Sequence, residues 1–173
     1  MEGERRRKIM VAMEYNEESI YALEWAMTYI IIPATSLDSE VFDHLVILFI
    51  VPKAPWTATI IGKESLVTSQ SLSDDDHENK QIQMARGVAE RVRNMCEKHN
   101  ISYEMKTIAG EEAKAQICKA ANTLGVDLLA VGDHQYGGCK SCRLFSTGSV
   151  VDYCLQHAKC PVMVVKRRHY CLN

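Results

Sequence analysis

Two glycines and a serine form the most specific chemical pattern in this sequence. Gly132 follows the apolar run 126–131, which has the composition of a buried strand, and Gly148 and Ser149 precede a segment with helical periodicity. A strand that is followed by a glycine-containing loop and then by the start of a helix is the usual order of elements in an anion-binding site. The first N–H groups of a helix have no partner within the helix, and the helix macrodipole attracts negative charge. The pattern therefore predicts a phosphate-binding loop between Gly132 and Ser149.

Ser149 also has a purely structural interpretation. Serine is favoured at the first position of a helix, where its hydroxyl accepts a hydrogen bond from a backbone N–H whether or not a ligand binds. Gly148 beside it and Gly132 at a strand end favour phosphate binding. Both interpretations stay open at this point.

Cys139 and Cys142 form a CxxC pair inside the same loop, with basic residues beside them that would stabilise thiolates. We interpret them as ordinary loop thiols, with a redox pair as the alternative. A zinc site would need two further ligands, and the nearby candidates form no second pair at zinc-finger spacing. We therefore predict no metal. Those candidates are Cys154, Cys160, His134 and His157.

Two of these side chains have simpler interpretations. Cys154 falls on the apolar stripe of the last helix, so we expect a buried thiol that packs as a small hydrophobe. His157 lies near the end of that helix, where its ring can interact with the last carbonyl groups. We predict a structural role for both residues.

Length and charge limit the possible classes of protein. The 173 residues suit one domain, 1–173, and the net charge of −2 argues against a dedicated nucleic-acid binder. No apolar run reaches the length of a membrane span, and the first residues lack the apolar core of a signal peptide. We expect a cytoplasmic protein, with the nucleus as the alternative, and seven cysteines present as thiols.

Apolar runs alternate with helical patterns along the chain. This alternation predicts an α/β three-layer sandwich, with a five-stranded parallel sheet covered by helices on both faces. Ligands of such sheets bind at the carboxyl ends of strands where the strand order reverses, which points to Met13, Glu14 and Gly132. The strands are predicted at 8–13, 45–51, 101–108, 128–131 and 162–165, and the helices after a cap at Asn16 through Ile30, at 78–100, at 111–124 and after Ser149 through Ala158.

The stretch 53–77 has no sustained periodicity. We predict a long loop, in which the serines from Ser69 to Ser73, beside a run of aspartates, are candidates for phosphorylation. A solvated connection is the simpler interpretation.

Three segments of the sequence resemble the universal stress protein family. They are VAMEYNEES…ALEWA near the start, GVDLLAVG before the loop, and GSVVDYCLQHAKCPVMVVKR at the end. The resemblance implies the sheet order 3-2-1-4-5 in a Rossmann-like fold of the adenine nucleotide alpha hydrolase type. It also implies a homodimer that pairs through the last strand, Val162–Val165.

Many members of this family bind ATP or AMP through the pattern Gly-x2-Gly-x9-Gly-Ser/Thr, and others bind no nucleotide. This chain has Gln135 at the second glycine position, and the loop between Gly132 and Gly148 is three residues longer than the pattern. Glu14 stands where the family usually has an aspartate, and Ile50 where a valine is common. The nucleotide-binding residues implied by the resemblance are Ala12, Met13, Glu14, Ile50, Val131, Gly132, Gly148, Ser149 and Val150.

The function implied by the resemblance is that of a dimeric, non-enzymatic stress-response protein with ATP or AMP as its ligand. The alternative is a nucleotide-independent dimeric adaptor that binds partners through its enlarged loop and the stretch 53–77. Gln135 and the three additional loop residues favour this alternative. No catalytic group is discernible, so slow nucleotide hydrolysis is the most that we expect of an enzymatic activity.

Overall fold

The computed structural model describes residues 6–14, 16–34, 42–51, 76–109, 113–133 and 150–167. Strands and helices alternate along these residues. The strands are β1 (Lys8–Met13), β2 (His44–Val51), β3 (Ser102–Ala109), β4 (Leu128–Gly132) and β5 (Val162–Val165). The helices are α1 (Glu17–Tyr29), α2 (Asp76–Lys98), α3 (Ala113–Leu124) and α4 (Val150–His157).

All five strands are parallel and lie in the order β3-β2-β1-β4-β5, as predicted. β1 is central and pairs with β2 on one side and β4 on the other. Apolar runs such as that of β2 form strands here because both faces of a parallel sheet are covered, and the residues from Leu45 to Ile50 are all buried. The strand order reverses between β1 and β4.

Two apolar layers enclose the sheet. Side chains of α1 and α2, among them Leu23 and Val92, pack on one face, while side chains of α3 and α4, among them Ile117 and Cys154, pack on the other. These layers confirm the three-layer sandwich.

Some element boundaries differ from the prediction. α2 begins at Asp76 rather than at residue 78, so the last two positions assigned to the long loop are helical. β3 is displaced by one residue towards the C-terminus, and its outer edge carries no partner strand among the described residues, as predicted for an edge strand. The predicted loop from residue 53 to 75, with Ser69 to Ser73, lies outside the described residues.

Charged side chains stabilise the amino edge of the sheet, where the strands begin. Asp43 is 2% exposed, and its carboxylate accepts two hydrogen bonds from Arg7 (2.8 and 2.7 Å) and one from the N–H of Ile32 (2.8 Å). Asp127 accepts a bond from the N–H of Lys8 (2.8 Å), and the Lys8 Nζ donates to the carbonyl of Leu124 (3.1 Å). This edge is therefore held by an ion pair and by side-chain bonds to the backbone.

Among the described residues, no helix combines the length and the apolar character that crossing a membrane requires.

Candidate functional site

The register of the sheet brings the predicted site residues to one edge. Ala12 is paired with Val131, so Met13 and Gly132 follow side by side at the carboxyl ends of β1 and β4. Ala12 is also paired with Leu48, which puts Ile50 of β2 at the same level as Glu14. The described part of the site is therefore assembled where the strand order reverses, the usual ligand position in such sheets.

Burial determines which atoms of these residues a ligand can reach. The side chains of Ala12, Met13 and Val131 lie in the two apolar layers, with at most 4% of each residue exposed. Ile50 is also buried. These residues can offer a ligand only backbone groups at the strand ends, whereas the side chain of Glu14 is exposed at the edge.

A short hydrogen-bond network organises the turn after β1. Asn16 is the N-cap of α1, and its Oδ1 accepts a hydrogen bond from the N–H of Ser19 (2.8 Å). Its Nδ2 donates to Oε2 of Glu14 (3.0 Å), and the N–H of Glu14 donates to Oγ of Ser19 (3.0 Å). The carboxylate of Glu14 is therefore held at the carboxyl edge by the cap of the next helix.

Sequence reasoning identified Asn16 only as a cap and missed Ser19. The spacing of the two residues is the available signal, since a polar side chain three positions after a cap commonly reaches back to the chain before the helix. Ser19 is 6% exposed, so its hydroxyl is enclosed by the protein. Asn16 and Ser19 therefore contribute to the site by holding Glu14 in place, not by contacting a ligand themselves.

Gly132 is required by packing. A Cβ built on Gly132 would lie 2.9 Å from the carbonyl oxygen of Glu18 and 3.4 Å from the backbone nitrogen of Ser19, both in the first turn of α1. Real Cβ atoms do not approach a backbone oxygen so closely. The absence of a side chain at this position lets α1 lie directly against the end of β4.

An ion pair between Asp133 and Lys166 lies beside Gly132 at the same edge. Asp133 donates its N–H to the carbonyl of Val165 (2.9 Å), and its Oδ2 lies 3.5 Å from Nζ of Lys166. Sequence reasoning missed this pair, because it joins residues after β4 and β5 that are far apart in the chain. The pair adds a cation and a carboxylate beside the reversal point.

The phosphate end of the predicted site falls largely outside the described residues. Gly148, Ser149, Gln135, Cys139 and Cys142 all lie there, so their predicted roles stay predictions. Val150 is described: it is the first residue of α4, and it is half-buried against the layer formed by α3 and α4.

The described thiols lie in the apolar layers, where Cys96 and Cys154 are buried and Cys118 and Cys160 are half-buried. The Sγ atoms of Cys118 and Cys154 lie 3.9 Å apart between α3 and α4, and burial raises the pKa of Cys154 to about 12. Burial also raises the pKa of Cys96 to about 12 in the opposite layer. Cys154 is therefore a buried thiol, as predicted, and its environment disfavours the reactive thiolate.

His157 has the predicted helix-end contact, with Nδ1 3.0 Å from the carbonyl oxygen of Tyr153.

The described residues contain no group of three His, Cys, Asp or Glu side chains arranged to hold a metal ion. The described part of the edge can therefore contribute hydrogen-bonding backbone groups, one organised carboxylate and a neighbouring ion pair.

Comparison with known proteins decides the family. The model of the universal stress protein family matches residues 5–166, almost the whole chain. The chain belongs to the universal stress protein family. The strand order and the reversal point between β1 and β4 are accordingly those of a universal stress protein.

The chain is similar to the curated universal stress protein PHOS32 of Arabidopsis thaliana, with 26% identity over 162 residues that include 93% of this chain. It covers 65% of the length of that relative.

Two solved structures share the fold. A universal stress protein family protein from Arabidopsis thaliana, solved with AMP bound, has a TM-score of 0.58 at 23% identity, with 94% of this chain and 92% of that chain covered. A universal stress protein in complex with cAMP has a TM-score of 0.56 at 16% identity, with 93% and 97% covered.

Proposed function

We propose that this universal stress protein binds an adenine nucleotide, AMP or ATP, at the carboxyl edge of β1 and β4. One observation carries the proposal: the exposed carboxylate of Glu14 is held by a hydrogen bond from Asn16 at the point where the strand order reverses. Ligands of parallel α/β sheets bind in the crevice at that point. The AMP and cAMP in the two solved relatives support the same ligand class.

Each described residue has a role that its exposure permits. Glu14 accepts hydrogen bonds from ribose hydroxyls, because its carboxylate is the exposed polar group at this edge of β1. Ala12, Met13 and Ile50 offer backbone groups to the base, since their side chains are buried. Val131 and Gly132 form the wall contributed by β4.

The phosphate is assigned to the start of α4, through Gly148, Ser149 and the N–H of Val150. Unpaired N–H groups and the positive end of the helix dipole favour an anion at such a position. The role of the first two residues is carried over from the family pattern, and Val150 is the first residue of the helix itself.

The cellular role that we propose is non-enzymatic stress response in the cytoplasm or nucleus by a single-domain protein, with the nucleotide as a regulatory ligand. We assign no residue of the described site as a catalytic base. Phosphate release from ATP should therefore equal that of buffer. Release proportional to protein concentration, and lost in Glu14→Ala, would contradict the non-enzymatic part.

We further propose a homodimer through β5. The carbonyls of Pro161 and Val165 point towards β4, so the N–H and carbonyl of Val164 point to the outer side of this edge strand. Val164→Pro would remove an outward donor and leave the bonds to β4 intact, as proline tolerates an edge strand. We expect light scattering to give a dimer for the natural chain and a monomer for the variant. A monomeric natural chain would overturn this part.

Calorimetric titration with AMP and ATP tests the ligand. Glu14→Ala should weaken binding about tenfold, the effect of one charge-assisted hydrogen bond. Glu17→Ala is the matched control, because Glu17 is an exposed acid in the first turn of α1 that pairs with Arg91 instead. No heat at millimolar nucleotide with folded protein would reject the proposal.

Gly132 favours a second candidate, the nucleotide-independent adaptor. The contact with Glu18 explains this glycine without any ligand, so the first glycine of the family pattern can persist for packing alone. The adaptor requires that folded protein neither binds AMP or ATP in solution nor carries a nucleotide through purification. Mass spectrometry of the denatured, purified protein reads the second condition directly.

A further inference from the structure

The two arms of the Asn16 amide contact different partners. Its oxygen caps α1 through the N–H of Ser19, and its nitrogen donates to the carboxylate of Glu14. We propose that Asn16 is a positioning residue that fixes Glu14 against the ribose, so that the site selects ribonucleotides with free 2′ and 3′ hydroxyls. This inference rests on the proposed function.

A glutamate needs such support more than a shorter acid does. Its side chain is exposed and has an additional rotatable bond, so an untethered carboxylate would lose more conformational entropy when it meets a ligand. A hydrogen bond of 3.0 Å from Asn16 removes part of that freedom before binding. The tether therefore lowers the cost of presenting the carboxylate.

The tether is itself anchored to the core. Asn16 is fixed by its bond to Ser19, the hydroxyl of Ser19 accepts the N–H of Glu14, and the Ser19 residue is buried. The first turn of α1 in turn lies against Gly132, where there is no room for a side chain. The position of the Glu14 carboxylate is thus linked to the ends of both β1 and β4.

The chemistry of the carboxylate determines which sugar it prefers. Two carboxylate oxygens provide about four acceptor positions, so one bond from Asn16 leaves capacity for two hydroxyl donors. A vicinal diol provides two donors in a fixed arrangement. A 3′,5′-cyclic nucleotide provides one, and a 2′,3′-dideoxynucleotide provides none.

Two substitutions separate the cap from the tether. Aspartate and serine cap helices about as well as asparagine. Asn16→Asp keeps the acceptor for Ser19 but has no proton to donate to Glu14, and Asn16→Ser loses the nitrogen arm without adding charge. Asn16→Ala, which also loses the cap, measures the purely structural effect by its lower melting temperature.

The readout is the preference for AMP over 2′,3′-dideoxy-AMP, measured by calorimetric titration. We expect the natural chain to prefer AMP by about tenfold or more, the discrimination typical of one or two hydrogen bonds. Asn16→Asp and Asn16→Ser should both reduce that preference to about threefold, with melting temperatures close to that of the natural chain. An unchanged preference in both variants would overturn the inference while leaving nucleotide binding intact.

A double-mutant cycle with Glu14→Ala tests whether Asn16 acts through Glu14. In the Glu14→Ala background, Asn16→Ser should leave AMP affinity unchanged. An equal loss in both backgrounds would mean that Asn16 acts through the helix alone, and would overturn the inference.

Relaxation of the Glu14 Cγ methylene in the protein without ligand gives a readout that needs no nucleotide. Its order should fall in Asn16→Ser, and an unchanged order would contradict the tether. Absence of AMP binding by the natural chain would contradict the proposed function, and with it the ribose preference.

Discussion

The two edges of the sheet use charged residues in opposite ways. At the amino edge, Arg7 and Asp43 form a bidentate pair, and Asp43 and Lys8 also bond backbone groups. At the carboxyl edge, the carboxylate of Glu14 is exposed and is held by Asn16. The first arrangement bonds charged side chains to each other and to backbone groups beside the strand starts, and the second presents a carboxylate where strands end.

This difference separates stability from ligand binding along the same strands. β1 contributes to both edges, through Arg7 immediately before it and Glu14 immediately after it. Substitutions at the amino edge should therefore change the free energy of unfolding and leave nucleotide affinity unchanged. Substitutions of exposed groups at the carboxyl edge should do the reverse.

Asp43→Ala should have the largest effect on stability. It removes three hydrogen bonds and leaves the N–H of Ile32 without its acceptor, so we expect a loss of about 2–3 kcal/mol in the free energy of unfolding. Urea denaturation measures the loss. Glu104→Ala, which removes partly exposed contacts with Lys106 and His44, is the control and should cost less than about 0.5 kcal/mol. A neutral Asp43→Ala, or a changed AMP affinity in folded protein, would break the division between the edges.

Gly132→Ala should come next, and it tests whether the carboxyl edge is also packed tightly. The added methyl would press on the carbonyl of Glu18, a backbone atom that cannot move alone, and overpacking of this kind costs about 1–3 kcal/mol. Gly87→Ala is the matched control, because nothing lies within 4 Å of the Cβ position in α2.

The control should be stabilising by about 0.5–1 kcal/mol, since alanine is the better helix former. Thermal denaturation of both variants checks the opposite signs. A neutral Gly132→Ala would remove the packing explanation for this glycine and strengthen the ligand explanation.

Substitution of His44 should have the smallest effect on stability, and it tests what a titratable group contributes at the amino edge. Burial lowers the pKa of His44, and the nearby cations Lys8, Arg6 and Lys106 act in the same direction, against the attraction of Glu104. Because the folded pKa lies below the unfolded value, His44 stabilises the protein above that value, near 6.5. This contribution is lost as the pH falls through the lowered pKa.

The free energy of unfolding should therefore decrease slightly between pH 7 and pH 5, and His44→Gln should reduce that slope. Urea denaturation at several pH values measures it. An identical slope in the variant would show that other groups determine the acid response.

The fold was predictable because its signals are local and repeated. Apolar runs such as LVILFIV must be buried on both faces, and their alternation with helical periods leaves few possible topologies. The boundaries of α2 were less predictable, because Asp76 and His77 have polar side chains that suit a loop or a first turn equally well.

The site was only partly predictable. Glu14 and Gly132 follow from the rule that ligands bind at strand ends, but the packing of Gly132 on Glu18 depends on two segments more than a hundred residues apart. The hydrogen bond from Asn16 to Glu14 depends on the orientation of the Asn16 amide, which the sequence pattern of a helix cap does not determine. The Asp43 ion pair has the same long-range origin, because Arg7 lies 36 positions away.

A titration of the ¹⁵N-labelled protein with AMP, followed through its amide resonances, tests the division between the edges most directly. We predict shifts at Ala12, Glu14, Gly132 and Val150 that saturate together, with Lys8, His44 and Asp127 at the opposite edge unchanged. Shifts confined to the amino edge, or a well-dispersed spectrum that stays constant at millimolar AMP, would contradict a nucleotide site at the carboxyl edge.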